Sequence, residues 1–220
     1  MINGECAIAS TQLTDVEYRL VRVLGSVLGM GWSQMNLNVI TQDPPATQAD
    51  YAGFPVMHYI DPLNCVPITA CYPNPYQLAA DDVAELTRLY PLASGPPSTM
   101  ARIYGSVYFS DPQGNATQPM QGVNVVARWI DPSTNLPSDQ YGASAVSGFL
   151  FTGNAGNAIT GWSNPLGVPY SQFGSSDQTQ EGFFDLGGLP IPNGANTAQY
   201  ELSVEALDPL WSANYSHPAP

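Results

Sequence analysis

The feature that most constrains this chain is a change of hydrophobic period about two-fifths of the way along it. Up to about residue 92 the apolar residues recur every three or four positions, the spacing of one helix face. From about residue 99 they alternate in short runs, the spacing of half-buried strands. Between the two lies Ala93-Ser94-Gly95-Pro96-Pro97-Ser98, a composition that punctuates rather than packs. The 220 residues include 21 Pro and 20 Gly, and only 10% are charged. That excludes both a long helical bundle and a highly charged disordered chain. The expected fold class is α+β, with a small helical part first and antiparallel strands after it.

In the first part, Leu13, Val16, Leu20, Leu24, Val27 and Leu28 form a helical stripe, expected to face a core. Thr14 and Glu17 have capping-box spacing and predict the helix start. Gly29 and Gly31 predict its end. A second helix is predicted over about Ala80–Tyr90, with Asp81, Asp82 and Glu85 at its start as capping acids and Pro91 beyond its end. The second part predicts strands over 102–109, 122–129, 144–151, 182–186 and 198–206. In the last of these Tyr200, Leu202 and Val204 share one face. Asp111-Pro112-Gln113-Gly114 reads as a turn between strands. Residues 152–181 form a Gly/Asn/Ser-rich insertion with little pattern.

Charge excludes some functions. Asp and Glu number 18, while the five basic residues are all Arg, giving −13 at pH 7. Nucleic-acid binding needs clustered cations, so it is not expected. No apolar run is long enough for a membrane span. Of three Cys, Cys65 and Cys71 bracket a short loop and are expected to pair, leaving Cys6 over. The absence of Lys, the Asn/Thr/Ser-rich composition and that loop disulfide point to an extracellular or cell-surface protein without a signal peptide in this chain. Asn115-Ala-Thr117 and Asn214-Tyr-Ser216 fit the glycosylation sequon.

Arg22-Val23-Leu24-Gly25-Ser26-Val27-Leu28-Gly29-Met30-Gly31-Trp32-Ser33 has the frame of a metzincin zinc helix, H-E-x-x-H-x-x-G-x-x-H. Gly53-Phe54-Pro55-Val56-Met57 resembles the Met-turn of that family, and residues 78–90 resemble its closing helix. Residues 2–92 are therefore similar to the C-terminal region of a matrixin. The resemblance implies zinc chemistry, but the residues do not supply it. Arg22, Ser26 and Trp32 stand at the three ligand positions and Val23 at the general-base position. A zinc site of this type needs neutral imidazoles and a carboxylate. With His58 and His217 the only histidines, no metal site and no cofactor are expected. His58 reads as a loop or surface residue, and Trp32 as filler where metal would sit.

The second part resembles a carboxypeptidase-regulatory-like, or transthyretin-like, β-sandwich. The residues that carry this are Ile103-Tyr-Gly105-Ser-Val107, Pro119-Met-Gln-Gly122-Val-Asn-Val125-Val-Ala127, Ser147-Gly148-Phe149, Gly187-Gly-Leu189-Pro190 and Tyr200-Glu-Leu-Ser-Val204. The expected organisation is a matrixin-like remnant over 1–92, a linker over 93–98 and the sandwich over 99–220. The expected function is that of a secreted, non-catalytic structural or adhesive protein acting through protein contacts. Two alternatives stand beside it: a zinc-metalloprotease-related hydrolase, and a surface glycan-binding module using aromatics such as Trp162 and Tyr170. Ile2, Ala7 and Ile8 lie in a strand-like segment that invites self-association.

Overall fold

A computed structural model describes residues 10–58, 75–150, 177–194 and 196–207. The predicted Cys65–Cys71 pair, Cys6, the assembly strand with Ile2, Ala7 and Ile8, His217, Trp162, Tyr170 and the second sequon lie outside these residues. The protein is α+β. Among the described residues four α-helices come first: α1 (Ser10–Val27), α2 (Asn38–Thr41), α3 (Gln48–Ala52) and α4 (Ala80–Leu89). Seven strands follow: β1 (Met100–Ser106), β2 (Tyr108–Ser110), β3 (Ala116–Pro119), β4 (Asn124–Asp131), β5 (Leu136–Val146), β6 (Phe183–Pro190) and β7 (Tyr200–Glu205). All pairings are antiparallel: β1 with β6, β2 with β3, and β5-β4-β7 in one sheet.

α1 runs a turn further towards the N-terminus than Thr14 predicts, so Thr14 and Glu17 lie within the helix rather than capping it. Its end is as expected. Gly29 adopts φ +86°, the Gly29 N–H donates to Ser26 O and the Met30 N–H to Gly25 O. These are the two bonds of a Schellman motif, and glycine adopts that backbone conformation without steric cost.

The larger correction concerns which face of α1 is buried. Tyr18 and Gly25 are buried, with Arg22 half-buried beside them. Leu13, Leu20, Val23, Leu24, Val27 and Leu28 are exposed, Val27 at 77%. Apolar spacing identified a helix but not the side its neighbours cover. Here the covered side holds a glycine, an arginine and a tyrosine.

The strands differ from expectation in extent. The predicted 102–109 strand breaks at Val107 into β1 and β2. β5 begins at Leu136 and ends at Val146, eight residues early at its start and five at its end. Its first half is largely exposed and carries no apolar alternation. β3 is polar, exposed and only four residues long, so it left no sequence signal. In β7, Leu202 and Val204 do share a face, but that face is open to solvent. Asp111 makes the predicted turn: its carboxylate accepts from the N–H groups of Gln113 and Asn115 and from the Asn115 side chain.

The main core gathers Val123, Val125 and Ala127 of β4 and the segment before it, Ala143 and Ala145 of β5, and Phe184, Leu186 and Leu189 of β6. Ala84 of α4 completes it, so the second helix belongs to the same core as the strands. A smaller cluster of Tyr18, Val39, Phe54 and Val56 lies beneath α1.

α4 reaches β6 because two glycines let it. A Cβ on Gly187 would stand 2.9 Å from Arg88 Cα and 3.0 Å from the Ala84 carbonyl oxygen, and one on Gly188 would meet Thr87 at 2.7 Å. The first contact is with helix backbone, which cannot turn aside as a side-chain tip can. Gly187→Ala is therefore expected to push α4 off the sheet, at a cost of about 1–3 kcal/mol by overpacking. A denaturant midpoint unchanged from the parent would contradict this.

Candidate functional site

The segments that resemble a metalloprotease centre do meet in space. α1 passes over Met57 at Gly25, where any Cβ would strike the Met57 sulfur. Met57 is 1% exposed. The Ser33 N–H donates to Met57 O at 2.8 Å, tying the segment after α1 to the same loop.

Arg22 occupies the middle of this junction. Its Nη1 donates to Val56 O at 2.8 Å and to the Tyr18 hydroxyl at 3.0 Å, and its Nη2 donates to His58 O. The guanidinium lies 5.4 Å from the Tyr18 ring centroid and 5.1 Å from that of Trp32. A planar cation with forked donors suits two backbone carbonyls and two aromatic faces. Of the four positions singled out by sequence, Arg22 and Trp32 are brought together beside Met57. Val23 is exposed on another side of the helix. The Ser26 hydroxyl donates back to Arg22 O within its own helix at 3.1 Å.

His58 is not a surface residue. It is fully buried and stacks on Phe54 with centroids 4.6 Å apart and planes 25° apart. Its burial was not legible because the loop carrying it has no periodic pattern.

Three acids of α4 hold this junction against the strands. They are buried, not solvated capping groups. Asp82 does accept the Ala79 N–H at 2.9 Å, as a capping acid would, but it also accepts Val56 N–H at 2.8 Å and Met57 N–H at 2.9 Å. Glu85 accepts the Gly31 N–H at 2.7 Å, just past the end of α1. Asp81 accepts both the N–H and the hydroxyl of Ser144 on β5. The Ser144 hydroxyl oxygen in turn accepts the Gln34 N–H at 3.2 Å.

Farther along the same seam, Asn124 donates to Gln34 O, and Asn36 donates to the carbonyls of Asp50 and Asp139. Arg128 of β4 pairs with Glu205 and Asp139 and donates to the Asn36 side chain.

Burial raises the pKa of all three acids. Asp81 is pushed to about 7 and Glu85 to about 8 by loss of hydration, opposed by the hydrogen bonds each accepts. Asp82 is also raised by burial, with its three backbone donors and the Arg22 charge pulling the other way.

Beside the junction lies a cavity of about 290 Å³. Tyr18, Tyr51, Phe54, Pro75, Val83 and Tyr141 are among its walls, and among the described residues no charged side chain lines it. Among the described residues, no group of three or more His, Cys, Asp or Glu side chains has the arrangement to hold a metal ion. None of their helices is long and apolar enough to cross a membrane. No family model, no curated protein and no solved structure matches the chain.

The raised acids fix the sign of a pH dependence. Between an unfolded value near 4.5 and a folded value of about 8, Glu85 holds a proton in the folded chain that it loses on unfolding. Stability therefore falls as pH rises through that window, and Asp81 adds to the fall up to about 7. The denaturant midpoint is expected to drop between about pH 5 and pH 9. Glu85→Gln, which keeps an acceptor for Gly31, is expected to flatten the upper part of the drop. An identical profile in that variant would show that Glu85 does not titrate this way.

Proposed function

We propose that the chain is a secreted, non-catalytic structural or adhesive protein that works through protein contacts at or outside the cell surface. In this reading its helical part is a degenerate matrixin-like remnant, and its strands form a transthyretin-like β-sandwich. The observation that supports it most is the setting of Arg22. The residue at the first ligand position of the metalloprotease frame is a cation, held by two carbonyls and two aromatic rings. A guanidinium has no lone pair for a metal and repels a second cation. At the base position, Val23 offers no proton acceptor and points away from the junction.

The acids nearby are committed to backbone N–H groups across the fold. They brace the structure, and all three are buried away from solvent.

A second reading, a glycan-binding module, draws on the uncharged cavity walled by Tyr18, Tyr51 and Tyr141. Aromatic faces with an amide such as Gln140 nearby suit a neutral sugar. Binding in a glycan screen that Tyr141→Ala abolishes would favour it over the first.

The first reading makes a direct prediction. Purified protein is expected to carry no stoichiometric zinc and to leave fluorogenic peptides uncut. Metal analysis by mass spectrometry and a peptidase assay with and without chelator check both. Chelator-sensitive cleavage, or one tightly held zinc per chain, would restore the hydrolase alternative.

A further inference from the structure

We propose that the exposed face of α1 is a homodimer interface, covered in solution by α1 of a second copy of this chain. The inference rests on the reading above, of a protein that works through contacts, and gives that contact a surface and a partner.

α1 buries a mixed face and leaves its apolar face open. At about 100° per residue, Tyr18, Val21, Arg22 and Gly25 fall on one face, which packs over Phe54, Val56 and Met57. Leu13, Leu20, Val23, Leu24, Val27 and Leu28 fall on the other, with 40% to 77% of each residue open. An apolar stripe along a helix is ordinarily the side that a partner covers. The six side chains present on the order of 500 Å² of apolar surface, the size that marks an interaction site rather than scattered exposure.

The spacing says what kind of surface fits. Leu13, Leu20 and Val27 are seven residues apart, and Val16 and Val23 lie three residues after the first two. This alternation of three and four over two heptads is spacing that packs against another helix, and α1 of a second copy bears the same repeat. Leu24 and Leu28 broaden the seam on one side.

Charge favours a like copy. The chain carries −13 overall, but outside the inward-turned Arg22 α1 holds only Asp15 and Glu17 against Arg19. This face therefore bears little of the charge by which two such molecules repel. Paired, the two stripes bring together about 1,000 Å², the lower bound of a specific interface, and homodimer interfaces are the more apolar class.

Light scattering on size-fractionated full chain, loaded from about 1 to 200 μM, tests this. The expected result is a two-chain mass at the upper concentrations. Leu20→Glu with Leu24→Glu is expected to weaken association at least about 100-fold by placing carboxylates in the seam. Its circular dichroism should match the parent, since both positions are exposed. Should that variant unfold, Val27→Glu, at the most open position of the stripe, carries the same expectation. Leu202→Glu with Val204→Glu, on the exposed face of β7, is the control and should leave the dimer intact.

A single-chain mass at 200 μM overturns the proposal, because the stripe would then be open or covered by a different protein. A dimer broken by the β7 control but not by the α1 variants overturns it too. Failure here is distinct from failure of the non-catalytic reading. A zinc-free monomer sinks only the interface, and a dimer with stoichiometric zinc sinks only that reading.

Discussion

Much of the structure depends on the carboxylate of Asp82. It accepts three backbone N–H groups from two separate stretches of chain, Val56 and Met57 from one and Ala79 from the other. A buried carboxylate is costly unless donors replace its water. Here the donors are the backbone of a loop with no regular hydrogen-bonding partner of its own, so loop and acid satisfy each other. Once Val56 and Met57 are fixed, their neighbouring carbonyls face Arg22, and α1 seats on Met57 through Gly25. Asp81 and Glu85 repeat the device one turn apart, reaching β5 and the end of α1. One short helix therefore fastens three otherwise separate segments.

The same arrangement explains how a strongly acidic chain folds with few cations. Several of its acids are buried among backbone N–H donors, where burial favours the protonated, uncharged form, so they call for no opposite charge. The arginines are spent where geometry needs a planar fork. Arg102 holds Asp185 through two bonds of 2.7–2.8 Å. Arg128 ties β7 and the start of β5 to the loop at Asn36. Arg88, half-buried beside Gly187, lies over the Phe149 ring at 5.1 Å.

The sequence was most legible where one local signal decides the outcome. α4 was readable to within a residue, because acids, apolar spacing and a following proline agree. The Schellman end of α1 was readable from Gly29, and the Asp111 turn from its own side chain. What could not be read depends on neighbours far along the chain. Nothing within α1 says that its leucines face outward and its arginine inward. That follows from where the Val56–His58 loop lies, which Asp82 sets from 25 residues away. Asp81 and Asp82 looked like ordinary helix-start acids because their partners at Ser144, Val56 and Met57 share no local pattern with them. His58 misled for the same reason: a polar residue in a patternless loop gives no hint of the ring it will stack on. Arg22, Val23, Ser26 and Trp32 were found by the frame of a motif, and two of the four gather at the junction.

Ser144 has a consequence for strand pairing. In β5 it lies opposite Val126 of β4, while its N–H and hydroxyl both face Asp81. Its immediate neighbours are Ala143 and Ala145, whose side chains can donate nothing. A slip of β5 by one residue would present a methyl group to a buried carboxyl and leave Gln34 without its acceptor. A one-residue slip also turns every side chain of the strand to the other face, and Ser144 adds a polar marker that the methyl groups beside it do not carry. The helical half thus acts as a register lock for the sheet: it recognises a single hydroxyl, and only one alignment of the hairpin supplies it.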